Sequence, residues 1–466
     1  MQGIKGLEGY DVERQKRKAL LVLRRMMEPC ESCGQCLQNC KFYTYSQDEA
    51  KEIMRGIKEF VFSKGLSGKP SKKARRFVWS CGLCEHCNLL CPLPPDKQIS
   101  RSAWIIILRS VLLKKDMAPF TARVLRLLLK DCTNPILKNI WPIDAKLSVP
   151  DWHGTGDPML PRIRLAIEKA RQRPTKGAEV CFFGGCGHVY GSPDVVYQTI
   201  SILEDAGVDM VTIGNPDFCC GVVYVVMGLY DMWIDQTARL AREYLDLRPR
   251  PSKILLQCPG CTTVHMFDMS RYGVDLPLDH LRKMVGGIEI VHVVEYISDL
   301  IKEGRLQLER PINMTVTYND NCSIGRRLKI SGRSVYDKPR HVLRSIPELN
   351  LVESDYTRDN AFCCGGLASK SKKIHEVHEK IFKSMVEKGS DTLLSPCMGC
   401  VASFRGGAKT FYNKTGHKIK ILDILRLVHE SLGKRTPRRH DPAKGSPLKK
   451  ISRLMKDGIY KDIYRL

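Results

Sequence analysis

One arrangement of five cysteines occurs twice in this chain, and it limits the fold more than any other feature. Cys186, a gap of 32 residues, Cys219-Cys220-Gly221, a gap of 37 and Cys258-x-x-Cys261 form the first set. Cys322, a gap of 40, Cys363-Cys364-Gly365, a gap of 32 and Cys397-x-x-Cys400 form the second. The surroundings repeat as well. AEVCFFGGC (178–186) answers INMTVTYNDNC (312–322), ILLQCPGC (254–261) answers LLSPCMGC (393–400), and IEIVHVVEYISDLI (288–301) answers IKILDILRLVHESL (419–432). Two homologous units of roughly 130 residues are expected, a usual domain size. Strand-like runs alternate with helical ones inside each, which is the pattern of an α/β unit.

Adjacent cysteines cannot easily bridge each other, because disulfide geometry is strict. Five thiolates also exceed what one zinc ion or one ordinary cubane requires. The pair makes sense if one sulfur bridges two irons while its neighbour ligates another. The glycine that follows lets the backbone come close.

A different cysteine pattern precedes the repeats. Cys30, Cys33, Cys36 and Cys40 form one C-x2-C-x2-C-x3-C run, and Cys81, Cys84, Cys87 and Cys91 form a second. Three thiolates on a tight loop can hold three irons of a cubane, and in two-cluster ferredoxins the fourth cysteine of each run serves the other cluster. This assigns Cys30, Cys33, Cys36 and Cys91 to one [4Fe-4S] cubane, and Cys81, Cys84, Cys87 and Cys40 to another. Gly34 and Gly82 suit tight loops. A pair of zinc sites is the alternative, but zinc normally takes four ligands from two CxxC knuckles rather than a doubled run of this form. Lys41 stands after Cys40, where such runs usually carry proline, as at Cys91-Pro92.

Of 20 cysteines, only Cys132 and Cys181 fall outside these motifs, and both read as buried inert thiols. So high a load without a secretory signal argues for redox or metal chemistry in a reducing compartment. No apolar stretch reaches the roughly 18 residues of a membrane span. The expected location is cytoplasmic, or peripheral on the inner face of the membrane through a partner subunit. A net charge of +25 suits an anionic partner or substrate, but no nucleic-acid-binding motif is present and no nucleic acid is expected.

The expected organisation is an N-terminal helix (1–24), a ferredoxin-type domain with two clusters (25–100), a helical connector (101–175), the two repeats (176–305 and 306–433) and a basic tail (434–466). The fold class is multidomain α/β and α+β, a helical two-cluster module followed by two homologous α/β domains. Residues 11–27 and 101–130 read as helices. So does 46–65, with Ser46 and Glu49 at capping-box spacing and Gly65 as a stop.

The twin C…CCG…CxxC repeats resemble the cysteine-rich CCG domains of heterodisulfide reductase. The two-cluster module fused ahead of them resembles the catalytic D-type subunit of that family, over roughly residues 25–433. Relatives include iron–sulfur subunits of glycolate oxidase and of anaerobic glycerol-3-phosphate dehydrogenase. The resemblance implies that Cys186, Cys219, Cys220, Cys258 and Cys261 hold one noncubane [4Fe-4S] cluster. Cys322, Cys363, Cys364, Cys397 and Cys400 would hold the other, giving one or two noncubane clusters beside the two cubanes. It implies disulfide reduction, with the coenzyme M–coenzyme B heterodisulfide as the small anionic substrate. The electron-donating subunit would be a membrane cytochrome b or a flavin or iron–sulfur protein. The alternative is an electron-transfer subunit linking a flavin dehydrogenase for glycolate, lactate or glycerol 3-phosphate to a quinone. Where many relatives carry more glycine, the first CCG continues VVYV and the second GLAS.

Four further residues stand close to the motifs. His188 and His265 are each either a proton donor to a departing thiolate or a satisfied neighbour of the ligands. Arg326 and Arg327 follow Cys322 and either meet an anionic substrate or form a solvated basic turn.

Overall fold

The computed structural model describes residues 10–94, 97, 98, 100–120, 122, 123, 178–185, 187, 188, 192–212, 219–247, 250–266, 288–329, 332–367, 371 and 373–435. Cys132, Cys186, most of the connector and nearly all of the basic tail lie outside the described residues, as do the expectations placed on them.

The N-terminal part is helical. The basic stretch expected as one helix is two, α1 (Val12–Arg17) and α2 (Ala19–Met27), joined at Lys18, whose backbone stays helical. After the short α3 (Gln35–Gln38), α4 (Gln47–Phe62) starts with the expected capping box. Ser46 Oγ accepts from the Glu49 N–H, and the Glu49 carboxylate accepts from the Ser46 N–H. It stops three residues before Gly65, which takes φ +64° in the following turn. Helix α5 (Lys72–Ser80) leads into the second cysteine run. Helix α6 (Arg101–Lys114) is buried along its whole apolar stretch and ends at Lys114; helical backbone resumes at residue 120, and 124–130 of the expected helix lie outside the described residues.

Each repeat is a four-stranded parallel sheet. The first has order β2-β1-β3-β4, with β1 Val180–Phe183, β2 Met210–Thr212, β3 Lys253–Leu256 and β4 Glu289–His292. The second has order β6-β5-β7-β8, with β5 Met314–Tyr318, β6 Leu349–Leu351, β7 Thr392–Ser395 and β8 Lys420–Asp423. Parallel strands need crossover helices, and β1 and β3 of the first sheet carry the largely apolar runs of a sheet covered on both faces. The β1 run VCFF is buried throughout, and Cys181 sits within it.

The two sheets share a core. Val196 and Leu203 of the first repeat, with Val294 and Ile297 of its last helix, pack with Val342, Leu343, Leu427 and Val428 of the second. The helix after β1 (Pro193–Asp205) meets the last helix of the second repeat (Ile424–Ser431). The last helix of the first (Val293–Lys302) meets the helix Asp337–Arg344. The N-terminal module lies against both repeats. Helix α6 packs on the helix Val222–Met227, and Phe42 is buried in the core of the second repeat. Among the described residues no helix is long and apolar enough to cross a membrane.

Candidate metal centres

In each N-terminal run the backbone turns left-handed on both sides of the second cysteine. Ser32 (φ 57°) and Gly34 (φ 79°) flank Cys33, while Leu83 (φ 53°) and Glu85 (φ 58°) flank Cys84. Side chains other than glycine rarely adopt this region. At Gly34 a Cβ would also collide with the backbone of Ala50 and Lys51 at 2.7–2.8 Å. Glu85 occupies the place that Gly34 holds in the first run. Its carboxylate accepts from the Arg101 N–H at 3.1 Å, the Ser102 N–H at 2.7 Å and the Ser100 hydroxyl at 2.8 Å, fixing the start of α6.

That start aims Arg101 at the thiols. Its Nη2 lies 3.8 Å from Cys91 Sγ, and its buried Nε and Nη1 have no partner among the described residues. Cys36 is raised by burial, and Arg101, Cys30, Cys33 and Cys91 are the charges acting on it. Burial pushes Cys40 up to about 11, with Cys84 the charge acting on it most, and Cys81 to about 12, with Arg109, Cys84 and Cys40 acting on it. The structure therefore places Cys91 beside the first run and Cys40 beside the second. Cys87 lies between, influenced by Arg101, Cys36 and Cys84. One cavity is lined by Cys36, Cys40, Cys81, Cys84 and Cys87 together with Arg101.

In both repeats the cysteines gather beyond the carboxyl ends of the central strands, the usual place for a ligand in an open α/β sheet. Cys258 follows β3 and Cys261 opens the helix Pro259–Met266. At Gly185 (φ 72°), just past β1, a Cβ would lie 3.1 Å from Cys261 Sγ, so the end of β1 is pressed against this CxxC. Cys220 lies within hydrogen-bonding reach of Cys219 and Cys261. In the second repeat Cys322 follows β5, with its Sγ 3.6 Å from Cys363 Sγ. Cys364 reaches Cys363 and Cys400, and Cys397 is next to Cys400. The structure thus brings together all five cysteines of the second set and the four described cysteines of the first.

The glycine of each CCG has a specific task. Gly221 (φ 83°) and Gly365 (φ 71°) are left-handed, and their N–H groups point back to Cys219 Sγ at 3.3 Å and Cys363 Sγ at 3.5 Å. Side chains fix the carbonyls of the pairs. Gln236 Nε2 donates to the Cys219 carbonyl at 2.6 Å. Ser403 Oγ donates to the Cys364 carbonyl at 2.7 Å, where His378 Nε2 also lies at 2.9 Å. Asn321 Nδ2 donates to Cys400 Sγ at 3.2 Å. Sequence reasoning missed these supports and Arg101. Asn321 and Arg101 had some signal, one adjacent to Cys322 and the other ten residues past Cys91. Gln236 and His378 had none.

The two cysteine sets face each other with approximate symmetry. A Cβ on Gly187, just after Cys186, would lie 3.2 Å from Met398 Sδ, just after Cys397. In the reciprocal position, Thr263 of the first CxxC helix donates to the carbonyl of Ser323, just after Cys322.

The four side chains singled out in sequence separate here. His188 is fully buried against Cys258. Burial lowers its pKa, but the Cys258 thiol and Asp423 of the second repeat outweigh this and raise it. The Cys261 thiol, and then His188, hold Cys258 well below the ordinary thiol range. His265 is instead engaged at both ring nitrogens, by the Tyr244 hydroxyl and the Cys261 carbonyl, each at 2.8 Å. It is a satisfied neighbour of the ligands. Arg326 is buried and Arg327 half-buried, and both donate to backbone carbonyls of the second N-terminal run. Arg326 Nε donates to the Cys84 carbonyl at 3.0 Å and Nη1 to the Ala361 carbonyl at 2.5 Å. Arg327 Nε donates to the Leu83 carbonyl at 2.6 Å. They join the second N-terminal run to the second repeat.

Thiol groups packed this closely cannot all ionise without a cation among them. Among the described residues no three His, Cys, Asp or Glu side chains converge as a ligand set for a single metal ion. The donor chemistry suits clusters instead: sulfur-only sets, apolar walls, and backbone N–H, Asn321 and Arg101 donors aimed at sulfur.

The chain carries two cysteine-rich domains of the CCG family, matched over residues 180–264 and 316–405, behind a 4Fe-4S dicluster domain matched over 26–93. It is an iron–sulfur oxidoreductase subunit related to the D-type subunit of heterodisulfide reductase. It is 27% identical to the D-type subunit of the dihydromethanophenazine:CoB–CoM heterodisulfide reductase of Methanosarcina mazei, over 88% of this chain and 95% of the relative. The B-type subunit of the fumarate reductase (CoM/CoB) of Methanothermobacter marburgensis is 25% identical over 87% of this chain and 72% of its own length. The EtfAB:quinone oxidoreductase of Syntrophomonas wolfei is 21% identical over 87% of this chain and 58% of its own.

Proposed function

We propose that the chain is the disulfide-reducing subunit of a complex and cleaves a small anionic disulfide between its two cysteine-rich sites. The observation that carries this reading is the facing of the two sets across Gly187–Met398 and Thr263–Ser323. A disulfide offers two sulfur atoms, and a pair of sites can receive one each. Cys30, Cys33, Cys36 and Cys91, and Cys40, Cys81, Cys84 and Cys87, would hold two cubanes. Cys186, Cys219, Cys220, Cys258 and Cys261 would hold one noncubane cluster, and Cys322, Cys363, Cys364, Cys397 and Cys400 the other. These clusters supply one-electron carriers and, in the repeats, iron that can accept a sulfur ligand. The protein's own groups do the rest. Gly221 and Gly365 donate N–H groups to sulfur, and His188, buried near Cys258, would be placed to give a proton to a departing thiolate. The M. mazei relative suggests the coenzyme M–coenzyme B heterodisulfide as substrate, and the net positive charge would steer such an anion. The donor would be a partner subunit, a membrane cytochrome b or a flavin or iron–sulfur protein.

The S. wolfei relative favours a second reading, an electron relay between a flavoprotein and a quinone. Iron and acid-labile sulfide per anaerobically purified chain, with EPR of the oxidised protein with and without thiol, separate the two. About sixteen irons and a thiol-sensitive signal are expected for the reductase. About eight irons and no thiol effect would leave only the N-terminal module loaded and would favour the relay.

A further inference from the structure

The N-terminal module touches both repeats, but among the described residues only one contact involves cysteine loops on both sides. Toward the first repeat, α6 offers Arg109 to the Val226 carbonyl at 2.5 Å and Lys114 to Asp231. Neither Val226 nor Asp231 belongs to the cysteine set. The charges acting most strongly on Cys220, Cys258 and Cys261 are the set's own thiols and His188. Toward the second repeat the contact is made by the cysteine loops themselves. Ser371 donates to the Phe42 carbonyl, and Lys41 Nζ, from the residue after Cys40, lies 5.9 Å from the ring centre of Phe362, the residue before Cys363. The unusual Lys41 therefore has a place in this contact.

Arg326 is at its centre. It is buried, and it links the carbonyl of Cys84 to those of Asp359 and Ala361, which lead into Cys363. The charges that act on it are Cys84 on one side and Cys322 and Cys363 on the other. Its buried Nη2 has no partner among the described residues. Leaving a charged donor unpaired is costly, so this nitrogen points to an anionic group between the two cysteine sets.

We infer that Arg326 is the electrostatic junction at which electrons leave the ferredoxin-type module and enter the second repeat. The inference rests on the cluster assignment proposed above. In each event one electron leaves the group held by Cys40, Cys81, Cys84 and Cys87. It arrives on the group held by Cys322, Cys363, Cys364, Cys397 and Cys400. No bond breaks and no proton moves, and the partner subunit restores the electron. A fixed positive charge between the two groups stabilises the added electron on either, which keeps their potentials high and close together.

The test is a redox titration followed by EPR on the fully loaded chain and on R326M and R326K. Loss of the charge in R326M is expected to lower the potentials of these two groups. The ratio of reduced to oxidised group at fixed poise should fall at least tenfold, equal to about 59 mV for one electron. The group held by Cys186, Cys219, Cys220, Cys258 and Cys261 should not move, and R326K should keep most of the wild-type value. Full iron content in R326M with unchanged potentials would overturn the inference. So would iron loss in both variants, because Arg326 would then be only a brace. Iron loss in R326M with normal iron and potentials in R326K supports the charge as the active feature. A wild-type chain with no signal from the second repeat would overturn the cluster assignment itself, a result visible before any variant is made.

Discussion

The two cysteine-rich repeats have the same strand order and the same cysteine pattern, yet their surroundings differ at two equivalent points. The first is the edge next to the N-terminal module. The second repeat meets Cys84 through Arg326 there, whereas the first meets α6 through Arg109 and packed apolar side chains. The second point is the end of the last strand. His292 closes β4 and Asp423 closes β8. Each is buried and accepts a hydrogen bond from the second N–H of the following helix. His292 lies in the first repeat beside His188, and Asp423 faces His188 from the second. A duplicated sheet has thus kept its ligand geometry while its edges were adapted separately. On the function proposed above, the second repeat receives electrons and the first holds the proton.

The largest effect that can break this division comes from removing one cysteine pair at a time. C219S/C220S and C363S/C364S are each expected to lose about four irons of sixteen and all disulfide reduction. They should differ in filling. With electrons fed through the N-terminal module, the first-repeat variant should still reduce its second site at the wild-type rate. The second-repeat variant should leave its first site oxidised. Stopped-flow absorbance with freeze-quench EPR reads this directly. Equal filling in both variants would show that the repeats are reached in parallel.

A smaller effect separates the repeats by packing. A side chain at Gly221 or Gly365 must adopt a left-handed backbone, at about 1–2 kcal/mol. At Gly221 the new Cβ would lie 3.2 Å from Gln236 Cγ and 3.4 Å from Trp233, contacts that a small shift can relieve. At Gly365 it would lie 2.6 Å from Ile374 Cδ1 and 3.0 Å from Phe42 of the N-terminal module. Overpacking adds about 1–3 kcal/mol there. G365A should therefore lower Tm more than G221A and weaken the junction with the module. Equal losses in thermal unfolding would mean that the second site can relax as easily as the first.

Much of this was legible in the sequence because cysteine spacing is close to a direct record of ligand geometry. The runs at Cys30 and Cys81 led to the crossed ligand sets proposed above, and the offsets between repeats led to two homologous α/β units, which the structure shows as parallel sheets of equal strand order. Local capping was also legible, since Ser46 and Glu49 are three residues apart. What failed was everything that depends on distant partners. Arg326 and Arg327 read as either substrate-binding residues or a solvated basic turn, because nothing near them shows that Leu83 and Cys84, more than 240 residues away, will present carbonyls. His188 and His265 stand two and four residues past a proposed ligand in sequence. Only the fold places Tyr244 on one and Asp423 near the other.

The smallest effect sets Asp423 against its counterpart His292. Burial raises Asp423 from 3.8 to about 6 and lowers His292 from 6.5 to about 3. The signs are opposite. Between pH 4 and 6 the folded chain holds a proton on Asp423 that the unfolded chain has lost, so this group's contribution to stability falls as pH rises. Above pH 6 the cost is complete, at most about 3 kcal/mol for a rise of this size. His292 is neutral in the folded chain, so its contribution falls as pH drops from 6.5 toward 3. D423N keeps an oxygen to accept from the Leu425 N–H and removes the charge. It should match wild type near pH 4 and exceed it at pH 8 by about 1–3 kcal/mol, a rise of several degrees in Tm. H292N should instead flatten the acid limb. Circular dichroism melts of the anaerobic chains from pH 4 to 8 decide the matter. A D423N gain that is the same at both ends would mean that Asp423 does not titrate in this range and that the two strand ends differ in shape rather than in charge.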